Sequence, residues 1–206
     1  MATTSAKPVT PFSVLETVPP PTSITKVHTR GEYVQESLRP KDCASEAANF
    51  VVSHSNANRA AARRTLDVFF NSTLADCCMY DEESMAKAKA AVRIITSPAN
   101  LISHPHIWHR DGNCFPVNIG HINSRYSMTM VGPPTDVLFE DIPVDDAVSR
   151  WYDRRAVAIL EAQRTRPLST GQIYRFTIGR SDSPVHSTPV FTTDRIFVSV
   201  VYYQDS

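Results

Sequence analysis

Ile107-Trp108-His109-Arg110-Asp111-Gly112 is the stretch at which this chain changes character. Before it, residues 41–97 carry apolar side chains at helical spacing. After it, β-branched and aromatic residues come in runs of strand length. Within it, an extended backbone puts residues i and i+2 on one face, so His109 and Asp111 project to the same side. Gly112 then lets the chain turn sharply.

Working towards the N-terminus, Ala44–His54 is an Ala-rich helix with Phe50, Val51 and Val52. Asn58 is placed to cap a second helix that runs through Leu66, Val68, Phe69, Phe70 and Leu74. Met85, Ala88, Val92 and Ile95 recur at helical spacing and predict a third helix over Glu82–Ile95, stopped by Ser97-Pro98. Residues 1–24 are rich in Pro, Thr and Ser and include Pro19-Pro20-Pro21, which predicts a flexible or surface-draped arm.

Towards the C-terminus, strands are expected at Ile107–Asp111, Arg125–Val131, Val137–Phe139, Gln172–Ile178 and Arg195–Tyr203. Gly132-Pro133-Pro134 and Ser169-Thr170-Gly171 are turns. A further helix is expected over Val144–Gln163, with Val148, Trp151, Tyr152, Val157 and Leu160 at its apolar positions. The order of elements predicts an α+β fold with a mainly β core. Residues 25–206 form a single domain in this reading, and the helical layer 41–97 buttresses an antiparallel sheet sandwich.

The bulk composition excludes several classes. The 206 residues are 42% apolar and 20% charged, with 21 Lys+Arg against 21 Asp+Glu, so no global field draws the chain to nucleic acid or an anionic membrane. The Arg59, Arg63, Arg64 group reads as a solvated helix face. No apolar run approaches a membrane span, and no signal-peptide pattern is visible. Cys43, Cys77, Cys78 and Cys114 form no C-x-x-C pair and are expected to be reduced, mostly buried thiols of a cytoplasmic protein. There is no G-x-S-x-G, phosphate-cradling glycine loop or H-E-x-x-H. The oligomeric state is not legible.

The chemistry-bearing residues are His109, Asp111 and a distant His186, which follows Pro184 into a strand-like run. Two neutral imidazoles and one carboxylate suit a non-haem iron(II) site that leaves positions open for other ligands. Arg195, nine residues after His186, has a planar fork suited to a carboxylate-bearing co-substrate, with Thr188 or Ser199 adding a hydroxyl. Arg125 and Tyr126 point to opposite faces of one strand. Either the Tyr126 hydroxyl helps bind the co-substrate or the ring fills the core. Trp108, Phe115, His121 and Arg125 are candidates for the pocket wall. The residues alone also leave open a zinc site drawing on His104 or His106, a purely structural His109–Asp111 pair, and a non-enzymatic binding module.

His109-x-Asp111, the late His186, Arg195 and the turn-Gly-strand Ser169–Phe176 resemble the iron(II)/2-oxoglutarate-dependent oxygenase superfamily. The resemblance implies a double-stranded β-helix, or jelly roll, with His109, Asp111 and His186 on iron(II) and Arg195 on the far carboxylate of 2-oxoglutarate. It also implies dioxygen-dependent hydroxylation, desaturation or a related oxidation of a small molecule. A cupin-like metal enzyme that uses no 2-oxoglutarate is the alternative. Thr129–Thr135 and His186–Pro189 are further similar to a family of uncharacterised proteins of comparable length, in which glycine stands where this chain has Pro134 and arginine where it has Ser187.

Overall fold

The computed structural model describes residues 10–21, 23–77, 87–99, 107–112, 124–140, 143–150, 152–190 and 192–203. Its core is a six-stranded antiparallel sheet in the order β1-β6-β4-β8-β3-β2. These strands are β1 (Phe12–Thr17), β2 (Gly31–Leu38), β3 (Lys89–Ser97), β4 (Ser124–Val131), β6 (Gln172–Thr177) and β8 (Arg195–Tyr203). A second sheet pairs β5 (Asp136–Val137) with β7 (His186–Ser187).

Two helices, α1 (Pro40–His54) and α2 (Arg59–Cys77), cover one face of the large sheet. Pro40 sits at the start of α1, where its missing N–H costs nothing. Asn58 caps α2 as expected, its side-chain oxygen accepting from the Ala61 N–H at 3.1 Å. Ala47 and Val51 of α1, with Leu66 and Phe69 of α2, pack on Val92, Ile94, Met128, Met130, Val198 and Val200 of the strands. On β3, β4, β6 and β8 the residues in between, among them Ile95, Arg125, Tyr174 and Phe197, face the other way.

Residues 89–95, expected as part of a helix, are strand. Ala90, Val92, Ile94 and Thr96 are buried while the side chains between them are less so, a period of two. Ala88, Val92 and Ile95 fit a helical spacing as well, but the β-branched run Val92, Ile94, Ile95, Thr96 favours the extended state once a neighbouring strand, here β8, is available. Residues 82–86 of that expected helix lie outside the described residues. The segment expected as an arm supplies an edge strand, with Phe12 opposite Phe176 and Thr17 opposite Gln172.

The single helix expected over Val144–Gln163 is instead two, α3 (Asp145–Ser149) and α4 (Arg154–Glu161). Asp153 separates them by capping α4, its carboxylate accepting from the Arg155 N–H at 2.8 Å. Val144, Ala147, Ala156 and Leu160 of this region close a second apolar cluster with Trp108, Leu138 and Val185. No described helix is long and apolar enough to cross a membrane. Cys43 and Cys77 are buried free thiols, as expected; Cys78 and Cys114 lie outside the described residues.

Candidate metal centre

The segment expected as a strand at 107–111 makes a single bridge, and that bridge builds the site. His109 N–H donates to the His186 carbonyl at 3.0 Å, and His186 N–H donates back to the His109 carbonyl at 2.9 Å. Residues paired this way stand directly opposite each other with side chains on the same face. The two imidazoles therefore meet, 4.4 Å between ring centroids. Asp111, two residues on, joins them, and its carbonyl is held by the Gly179 N–H at 2.8 Å.

Arg110 points the other way. Its guanidinium donates to Glu140 and to the Ser183 carbonyl. Glu140 in turn accepts from the Val185 N–H at 2.9 Å. One buttress thus ties together the two segments that carry the histidines.

The imidazole Nε2 atoms of His109 and His186 lie 3.5 Å and 3.8 Å from the same oxygen, Oδ1 of Asp111. Two donors bound to one first-row divalent ion at about 2.1 Å can be at most about 4.2 Å apart, so both separations fit a shared ion. Nδ1 of His109 is 3.0 Å from the Ile107 carbonyl, and Nδ1 of His186 is 3.2 Å from that of Pro184. A proton on each Nδ1 leaves each Nε2 lone pair facing the gap, the arrangement that orients histidine ligands. Burial pushes the His186 imidazole down to about 4, so it is neutral near pH 7. Burial alone would raise Asp111, but the close approach of His109 and the positive charge of Arg125 outweigh it and hold the carboxyl at about 2. The other oxygen of Asp111, Oδ2, is 2.8 Å from Nη1 of Arg125. The donor set is thus two imidazoles and an ionised carboxylate, with His109 half-exposed, Asp111 partly buried and His186 buried.

A cavity of about 360 Å³ opens beside these groups, lined from both sheets. Arg195 is 3% exposed within its wall. Its Nε donates to the Pro133 carbonyl at 3.0 Å, Nη2 donates to the Thr135 hydroxyl at 3.2 Å, and its guanidinium carbon lies 5.0 Å from the Phe197 ring centroid. Burial lowers its pKa to about 10. A carboxylate bound beside it would offset that penalty on its charge.

Of the residues singled out in the sequence, His109, Asp111 and His186 come together, and Arg195, Thr188 and Arg125 line the same cavity. Tyr126 does not. It faces the helices, donating to Asp76 Oδ2 of α2 at 2.9 Å, so the core reading of this ring holds and co-substrate binding by it does not. Trp108 is not part of the cavity wall either: strand alternation turns it away from His109 and into the second cluster with Leu138 and Leu160. Phe115, His121, His104 and His106 lie outside the described residues.

Several lining residues were missed by sequence reasoning. Tyr174 is fully buried beside Thr135 and Arg195, its hydroxyl pushed up to about 12 by burial. Its alternation with the helix-facing Arg175 was the available signal. Arg93 and Ile95 also line the cavity. They were hidden by the mistaken helix over Glu82–Ile95.

No protein-family model and no curated protein matches the chain. Among solved structures, a prolyl-4-hydroxylase of Pseudomonas putida is 9% identical, with a TM-score of 0.38 over 86% of this chain and 74% of that one. The viral collagen prolyl hydroxylase vCPH of Paramecium Bursaria Chlorella virus-1 is 11% identical, with a TM-score of 0.37 over 84% and 90%. The non-heme alpha ketoglutarate dependent epimerase SnoN of nogalamycin biosynthesis is 21% identical, with a TM-score of 0.35 over 56% and 48%. Likenesses of this degree assign nothing to the chain, and its site is read from its own residues.

Proposed function

We propose that this protein is an iron(II)- and 2-oxoglutarate-dependent enzyme that oxidises a small organic molecule, and that residues 25–206 form a jelly-roll domain with β1 on its edge. The observation that carries this reading is the convergence of His109, Asp111 and His186 next to a cavity whose wall holds a buried arginine. When bound, iron(II) supplies dioxygen activation, with the keto acid as electron donor. His109, Asp111 and His186 hold the ion. Arg125 occupies one oxygen of Asp111 and directs the other towards the histidines. Arg195, with the hydroxyls of Thr135 and Tyr174 close by, receives the far carboxylate of 2-oxoglutarate. Phe176, 4.7 Å from the His186 ring, and Phe197 keep water from the inner wall. The cavity volume suits a metabolite rather than a folded partner.

An anaerobic titration tests this. Iron(II) followed by 2-oxoglutarate should produce the visible charge-transfer band of a chelated keto acid, and admitting dioxygen should release succinate. Arg195→Leu should retain iron and weaken 2-oxoglutarate binding, whereas His186→Ala should lose both. Iron binding that survives His186→Ala, or a band absent from the unaltered protein, would defeat the proposal.

A further inference from the structure

The cavity lining contains three arginines and, among its described residues, no Asp or Glu. In sequence, the stretches 100–106 and 113–123 on either side of the motif contain no Asp or Glu either. Two of the arginines have assigned places: Arg195 beside Thr135, and Arg125 on Asp111. Arg93 is the third.

Arg93 and Ile95 lie on the cavity face of β3, since Val92 and Ile94 between and beside them are buried under the helices. The register with β8 sets Arg93 opposite Ser199, Ile95 opposite Phe197 and Ser97 opposite Arg195. Arg93 is thus level with a position four residues beyond Arg195, about 13 Å along the strand. An apolar step of Ile95 and Phe197 lies between the two levels, and Ile107 also lines the cavity. The partner of Arg93 is Glu32 on edge strand β2, with Nε–Oε1 at 2.7 Å and both side chains about half-exposed. Exposed pairs of this kind contribute little, so exchanging one carboxylate for another costs little.

We infer that the substrate is a small amphiphilic carboxylate, its apolar body on Ile95, Ile107 and Phe197 and its carboxylate on Arg93 in place of Glu32. That it is a substrate, rather than a bound ligand, rests on the oxygenase reading. The fork of arginine pairs with a carboxylate through two hydrogen bonds, and a neutral amide of the same shape cannot accept both with charge. Glu32 competes for the same fork, and a carboxylate ligand replaces that contact where a neutral molecule does not.

Equilibrium binding of phenylacetate and of its neutral isostere phenylacetamide to the full chain tests the inference. The unaltered protein should prefer phenylacetate severalfold. Arg93→Gln should bring the ratio to about one, and Glu32→Gln should tighten phenylacetate severalfold by removing the competitor. A ratio near one in the unaltered protein, a preference that survives Arg93→Gln, or weaker phenylacetate binding in Glu32→Gln would each overturn it. The test is separable from the oxygenase reading. An intact carboxylate preference without the iron–keto acid band leaves the Arg93 site standing, and a band without the preference removes it.

Discussion

Nη1 of Arg125 lies 2.8 Å from Oδ2 of Asp111, while Oδ1 of the same carboxylate faces both histidines. The arginine thus fixes which oxygen is offered to a metal. Groups that orient ligands from behind commonly contribute roughly 10- to 100-fold to metal affinity. Arg125→Met should weaken iron(II) binding by roughly that factor, with the fold intact by circular dichroism. Unchanged affinity in an anaerobic iron titration would show that Asp111 is held by other means.

If the proposed function holds, Tyr174 should separate binding of the keto acid from binding of the metal. Its hydroxyl sits by Thr135 and Arg195 and is not one of the three donor groups. A hydrogen bond to a charged group is worth about 1.5 kcal/mol. Tyr174→Phe should therefore raise the 2-oxoglutarate concentration needed to develop the charge-transfer band by roughly tenfold. Iron affinity should not change, and a loss of both together would place the hydroxyl elsewhere.

Gly132 holds the cavity wall through its backbone. It has φ of +82°, and an added Cβ would lie 2.2 Å from the Asp194 carbonyl oxygen. The next residue, Pro133, supplies the carbonyl that holds Arg195. Gly132→Ala should destabilise the protein by about 1–2 kcal/mol from the left-handed backbone alone, and more from the collision. Thermal denaturation measures this, and a midpoint equal to that of the unaltered protein would contradict it.

The buried thiols give the fold an alkaline weakness. Burial pushes both Cys43 and Cys77 up to about 12 from an ordinary value near 9. Above about pH 9 the unfolded chain loses these protons while the native state keeps them, so the native state binds more protons and stability falls as pH rises. The loss approaches about 1.4 kcal/mol per pH unit per thiol. Urea denaturation between about pH 8.5 and 10 should show this slope. A Cys43→Ala, Cys77→Ala double variant should lessen it most between about pH 8.5 and 9.5, since buried tyrosines such as Tyr174 and Tyr202 add their own slope as the pH nears about 10.

The site was more legible in the sequence than the sheet around it. His109 and Asp111 follow from strand alternation, and β8 runs Arg195–Tyr203, the bounds its β-branched and aromatic run predicts. What brings His186 to them is a pair of backbone hydrogen bonds between residues 77 positions apart, for which side-chain identities carry no signal. The side of the sheet that Tyr126 chooses depends on Asp76 of α2 and was equally hidden. In β3, the apolar spacing of Ala88, Val92 and Ile95 satisfied two periods at once, and pairing with β8 decided between them. Phe12–Thr17 lay too close to its prolines to stand out as a strand, and β6 gives it a partner.

The reciprocal bridge between His109 and His186 has a thermodynamic corollary. The two histidines belong to segments outside the six-stranded sheet, joined by that pair of hydrogen bonds, by the Gly179–Asp111 bond and by the Arg110–Glu140 buttress. An ion gripping both imidazoles would act as a rivet through that seam. Its binding and the seam's resistance to local opening are then linked: the ion would hold the seam shut, and a change that loosens the seam would weaken the grip on the ion.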